Sequence, residues 1–198
     1  EVLAAFRSLV DAQDLNTAAG QAAYATLLKL APAFAELQQA MSGAKSAVDI
    51  AAERQDLERK LLELRGDTAA LRALEFFARF DPRLVGPVLD GTADARAPVC
   101  LQLYSDDADA VARHLEEAGI PAESRSRRLR LDRLREGEFP VWQFTAEDLV
   151  FDLTVLPAVA LRQAPLSSVE ERPMRRASAA QLRQLLVDED IAGYVADG

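Results

Sequence analysis

The sequence predicts an α+β protein, with a helical region over residues 1–80 followed by an α+β domain over 81–198. Three observations point to this class. Up to Phe80, apolar residues recur at helical spacing in a stretch rich in Ala, Leu, Gln, Glu and Arg and poor in β-branched residues. After Pro82 the period shortens to that of strands. The elements that follow then read strand, strand, helix, strand, strand, strand, helix.

Each element has a local reason. Asn16 or Thr17 offers an oxygen to cap a helix running to about Leu30, and Pro32 suits the first turn of a next one ending near Gly43. Ser46 with Asp49 resembles an N-terminal box ahead of a helix to about Arg65. Its apolar stripe is Leu57, Leu61 and Leu64, with Glu53, Arg54, Glu58 and Arg59 left for solvent. Gly66 is expected to stop that helix and Asp67 to cap another, striped by Leu71, Leu74 and Phe77, before Asp81-Pro82 closes the helical half. Leu84–Leu89 and Val99–Tyr104 read as apolar strands. Asp106 with Asp109 is expected to cap a helix facing inward through Ala108, Val111, Ala112 and Leu115 and ending at Gly119. Arg127–Leu131, Val141–Thr145 and Leu149–Val155 read as three more strands, the last two joined by a turn at Ala146–Asp148. Residues 157–173 carry no clear period, and Ser178 with Gln181 forms a capping box for a last helix through Val187.

Composition removes several function classes. The 198 residues include 23 Lys plus Arg against 32 Asp plus Glu, a formal charge of −9. An acidic total of this size argues against bulk nucleic-acid binding, which depends on releasing counterions from phosphates onto a basic surface. One cysteine, Cys100, allows no intrachain disulfide, and with the single His114 it makes no Cys/His zinc set. No apolar run approaches the roughly 20 residues that cross a bilayer, and no signal-type n-region and h-region is read at the start. A reducing cytoplasm is the expected compartment and no membrane contact is expected. The start at Glu1 rather than Met is compatible with a trimmed N-terminus. Only Lys29, Lys45 and Lys60 are lysines, an Arg bias typical of a GC-rich bacterial genome.

The most informative stretch is Arg83–Tyr104, RLVGPVLDGTADARAPVCLQLY: a strand entering a turn at Gly86, a loop containing Gly91-Thr92-Ala93, and a second apolar strand. With the element order from Leu84 to about Leu156, it resembles the nucleotidyltransferase superfamily, whose fold is that of polymerase-β-like enzymes. The resemblance implies a mixed sheet flanked by helices. It also implies a Gly-Ser turn that lets backbone and hydroxyl approach a triphosphate, an Asp-x-Asp strand, and a third carboxylate on a later strand. Two divalent ions held by such carboxylates neutralise charge at the attacking and leaving oxygens of phosphoryl transfer. This chain departs from the pattern at the chemical positions. Pro87 stands where the Ser is expected, and Pro98 and Cys100 stand at the Asp-x-Asp positions, neither of them a ligand for a hard cation. Asp152, in LVFDLTV, matches the third carboxylate.

The resemblance therefore implies a nucleotidyltransferase-like domain without two-metal transfer activity, serving as a nucleotide- or phosphate-binding or protein-interaction module and needing no cofactor. The candidate residues are Asp152 at the catalytic position and Gly86, Gly91, Thr92, Arg128 and Arg130 around a phosphate. A second reading is an active enzyme that holds Mg²⁺ with Asp152 and further carboxylates such as Asp90 or Asp94. A third is a structural or regulatory protein whose helical half binds a protein partner or a second copy. Each candidate also has a plainer reading. Asp152 serves as a carboxylate on the solvated face of an edge strand, Cys100 as a small core residue, and His114 as a surface residue. The cluster Arg125, Arg127, Arg128, Arg130, Arg133 and Arg135 serves either as phosphate forks or as an edge strand blunted by charge and paired with Asp132, Glu136 and Glu138. Arg172, Arg175 and Arg176 form a smaller patch with the same two readings.

Overall fold

The computed structural model describes residues 2–11, 13, 17–40, 47–132, 135–166 and 172–196. Asn16, Gly43, Ser46 and Arg133 lie outside the described residues. The protein is α+β, and it divides into two compact units, Glu1–Thr68 and Ala69–Gly198.

The first unit contains helices α1 (Val2–Asp11) and α2 (Ala18–Ala40) and the greater part of α3 (Ala47–Phe76). Thr17 is the cap of α2: its Oγ1 accepts the Gly20 N–H at 3.0 Å. Leu27 and Phe34 of α2 bury against Leu57, Leu61 and Leu64 of α3, with Phe6 of α1 stacked on Phe34 at 4.1 Å between ring centroids. The solvent side of α3 is laced by the pairs Arg54–Glu58, Arg59–Glu63 and Lys60–Asp56. Two expected breaks are absent. Pro32 lies inside α2, and α3 runs through Gly66 and Asp67 without stopping. Both apolar stripes of α3 are buried, Leu57, Leu61 and Leu64 in the first unit and Leu71 and Leu74 in the second, and that burial outweighs the about 1 kcal/mol a glycine costs in a helix.

The second unit is built on a five-stranded sheet in the order β1-β2-β5-β4-β3, comprising β1 (Arg83–Val85), β2 (Val99–Tyr104), β3 (Glu123–Arg130), β4 (Glu136–Ala146) and β5 (Leu149–Leu156). β2 and β5 are parallel and the other pairs antiparallel, so the sheet is mixed. β1 is shorter than the expected Leu84–Leu89, because Gly86 takes φ +74° and Pro87 to Thr92 coil into turns closed by Asp90 N–H to Gly86 O and Thr92 N–H to Pro87 O. The β4–β5 turn falls where expected, with Glu147 and Asp148 both at positive φ, the conformation a tight hairpin requires.

Helices α4 (Asp109–Glu117) and α5 (Ala179–Ala196) complete this unit. The cap of α4 is Asp107, whose Oδ1 accepts the Asp109 and Ala110 N–H groups, while Asp106 instead accepts the Ala158 N–H. Val111 and Leu115 are the buried residues of α4, and Ala108 and Ala112 are only half-buried. The Ser178–Gln181 box forms as expected, each residue's side chain accepting the other's backbone N–H, and α5 extends beyond Val187. Among the described residues, no helix is long and apolar enough to cross a membrane.

Alternation gives the sheet two unlike faces. Leu101, Leu103, Leu153, Val155 and Phe151 occupy the apolar face, where Phe144 stacks on Phe151 at 4.9 Å and lies 6.5 Å from Phe77. His114 of α4 is half-buried against Phe76, Phe77 and Phe80 rather than on the open surface. The other face carries Cys100, Gln102, Tyr104, Asp152, Thr154, Gln143, Arg125 and Arg127, and it is this polar face that holds the candidate site.

Candidate functional site

The parallel register of β2 and β5 sets Cys100 opposite Asp152, and the antiparallel register of β1 and β2 sets Val85 opposite Cys100. The turn after Val85 brings Gly86 in close. A Cβ added to Gly86 would stand 3.6 Å from the Cys100 Cβ and 3.7 Å from its Sγ. Gly86, Cys100 and Asp152 therefore meet at one place, with Pro98 just ahead of the start of β2. The Cys100 thiol donates to the Pro98 carbonyl at 3.6 Å.

Asp152 is not on a solvated edge. β5 is the central strand of the sheet, and the Asp152 side chain is 8% exposed. A carboxylate so placed needs a compensating charge, and Arg127 supplies it from β3, reaching across β4. Arg127 Nη1 donates to Asp152 Oδ1 at 3.0 Å, Nη2 donates to Oδ2 at 2.7 Å, and Nη1 also reaches Thr154 Oγ1 at 3.3 Å. The guanidinium side chain is 43% exposed, so the pair has a buried acidic end and a base open to solvent.

Arg128 and Arg130 fall on the opposite face from Arg127, because successive strand residues alternate. Arg128, 75% exposed, pairs with Glu136 at 3.5 Å, and Ser126 beside it bonds to Glu138. These two arginines are not brought to Asp152; Arg127 and, two residues back, Arg125 share its face. In the sequence Arg127 is one of a cluster of arginines, and nothing next to it singles it out. Two signals are present: a lone carboxylate in an apolar strand needs a cation, and Arg127 has the parity of the apolar Leu129, which the fold packs against Tyr104, Leu156 and Ala160.

Gly91 and Thr92 are exposed in the loop after β1, with Gly91 at φ +66° and open space where a Cβ would stand. Asp90 lies 3.8 Å from Arg175, and Asp94 accepts the Arg96 N–H at 2.8 Å. Arg175 also donates to the Leu89 carbonyl, and Arg176 donates to Tyr104 Oη and to the Ala160 and Leu161 carbonyls, so both serve the local structure. Tyr104 in turn donates to Gln102 Oε1 at 2.9 Å, which satisfies two buried polar groups at the far end of the same face.

Among the described residues, no three His, Cys, Asp or Glu side chains are grouped to hold a metal ion. The donor set beside Gly86 consists of a proline, a thiol and one carboxylate already engaged by a guanidinium, and it does not fit a pair of divalent ions.

Burial, and next the charge of Asp152, push the Cys100 thiol up from an ordinary 9.0 to about 11, with Arg127 opposing them. The folded state thus keeps its proton where the unfolded chain has lost it. The stability this contributes is present below pH 9 and is lost as pH rises toward 11. Alkylation of the native protein by iodoacetamide is expected to be slow at pH 8 and to rise steeply only near pH 10–11, whereas the urea-unfolded chain reacts with an ordinary thiol profile. A native profile centred near pH 8–9 would contradict the burial of this thiol.

No protein-family model matches the chain, and no curated protein sequence is significantly similar to it.

Proposed function

We propose that the protein is a nucleotidyltransferase-like module that binds a nucleotide or phosphate without catalysing two-metal nucleotidyl transfer. The observation that carries this reading is the register pairing of Cys100 with Asp152 beside the Gly86 turn. The resemblance would set the superfamily's carboxylates at Pro98, Cys100 and Asp152; here Cys100 is a thiol and Asp152 is neutralised by Arg127, with Pro98 just ahead of β2. An ion pair in this position supports binding over catalysis, because the remaining carboxylate has no charge to spare for metal ions. The lone thiol and the Arg-biased composition favour a reducing bacterial cytoplasm as its setting.

Calorimetric titration of the full chain with each nucleoside triphosphate, in Mg²⁺ and in EDTA, tests this reading. Saturable binding of similar strength in both buffers, with no pyrophosphate released, is the expected result. Binding that requires Mg²⁺, together with pyrophosphate release, would instead establish an active transferase with a different metal site. Absence of binding in either buffer would favour a role for the helical unit in engaging a protein partner.

A further inference from the structure

We propose that Arg127 is a metal-free receptor for phosphate oxygens, anchored by Asp152 and Thr154 at one edge of its guanidinium and open to ligand at the other. This rests on the reading above and assigns its anion subsite. A guanidinium has five N–H groups in a rigid plane. Three of those on Arg127 are engaged, two by the Asp152 carboxylate and one by Thr154 Oγ1. The two left, Nε–H and the second hydrogen of Nη2, lie side by side along one edge and form a second fork of the spacing that matches two oxygens of a phosphate.

Three features make that fork a receptor rather than a spare surface charge. The group is held in place before any ligand arrives, since the buried carboxylate fixes the plane of the guanidinium and removes the rotamer cost of ordering it on binding. The side chain is 43% exposed, so the guanidinium is not sealed from solvent. A second guanidinium stands near it on the same face: Arg125, 58% exposed, is paired among the described residues with the more exposed Glu123. Gln143, opposite Asp152 on β4, adds an amide to that face. Asp152 and Glu123 offset the charges of the two guanidinium groups, so in a chain of net charge −9 the oxyanion is held by the directed N–H groups of the open fork and not by a surplus of positive charge. The chemistry that fits is a di- or triphosphate with two or more adjacent oxyanions, held by guanidinium forks where the superfamily would use metal ions.

The test is calorimetric titration of inorganic pyrophosphate into the full chain in EDTA, at two salt concentrations, repeated with Arg127→Lys and Arg125→Ala. Arg127→Lys keeps the charge and the pairing to Asp152 but removes the fork. It is expected to weaken pyrophosphate by about 10-fold or more. Arg125→Ala, at an exposed position where folding is not at risk, is expected to weaken it several-fold, and the wild-type affinity is expected to fall with salt. Wild-type binding that is absent in EDTA, or is unchanged in both variants, would overturn the proposal. The two proposals fail separately. Nucleoside triphosphates that bind with equal strength to wild type and Arg127→Lys would sink the Arg127 subsite and leave the nucleotide-binding reading intact, whereas no binding of either ligand sinks both.

Discussion

Leu153→Ala is expected to destabilise the sheet-bearing unit by about 4 kcal/mol, read as a shift of the urea midpoint followed by far-UV circular dichroism. Leu153 is fully buried at the middle of β5, with Leu101 of β2 and Trp142 of β4 as its register partners on the apolar face. Truncation to Ala loses the transfer free energy of the deleted carbons and leaves a cavity between strands that are tied by backbone bonds on both sides and cannot close over it. The effect should extend to the candidate site, because the residue on either side of Leu153 belongs to it: Asp152 and Thr154 point to the polar face from the same stretch of β5. Val159→Ala, at a 66% exposed position, is the matched control and is expected to change stability by less than about 0.5 kcal/mol. A loss below about 1 kcal/mol at Leu153 would contradict the central position of β5.

Arg127→Ala is expected to cost about 2–3 kcal/mol, well above the range of a surface arginine. The loss arises at the other end of the ion pair: removal of the guanidinium leaves the Asp152 carboxylate buried in a central strand with its charge uncompensated. The figure lies below that for a fully buried pair because Arg127 is 43% exposed, and water entering its place screens part of the charge. The combination Arg127→Met with Asp152→Leu is the informative partner. With both charges replaced by apolar groups of similar size, no uncompensated charge remains, and stability is expected to return to within about 1 kcal/mol of wild type. Pyrophosphate binding, in contrast, should not return, since the double variant has no fork. Recovery of stability without recovery of binding would separate the structural work of the pair from its work as a receptor. Equal losses for the single and double variants would mean that Arg127 contributes through its packing over β4 and not through its charge.

Much of the scaffold of this protein follows from local sequence. The apolar periods of α3, the strands Val99–Tyr104 and Leu149–Leu156, the turn at Glu147-Asp148 and the Ser178–Gln181 box all arise from interactions among residues within a turn or two of each other. Departures occur where burial outweighs a local signal. Pro32 and Gly66 mark helix ends by propensity, yet α2 and α3 run through them because buried residues stand on both sides, Leu27 and Phe34 around Pro32 and Leu64 and Leu71 around Gly66. β1 departs in the other direction, since the positive φ of Gly86 turns the chain before Val88 and Leu89 can extend the strand.

The site divides along the same line. That Asp152 is a lone charge in an apolar strand is legible in the residues of LVFDLTV alone. So is the placing of Arg127 and Arg128 on opposite sides, because alternation fixes that for any strand. Which of those sides Asp152 shares is a matter of strand pairing. That choice depends on the register of β3 on β4 and of β4 on β5, and a slip of one residue in either pairing would have presented Arg128 instead. The partner of Asp152, the one buried carboxylate among the described residues, is therefore set by hydrogen bonds two strands away, a quantity to which no local pattern of residues is sensitive.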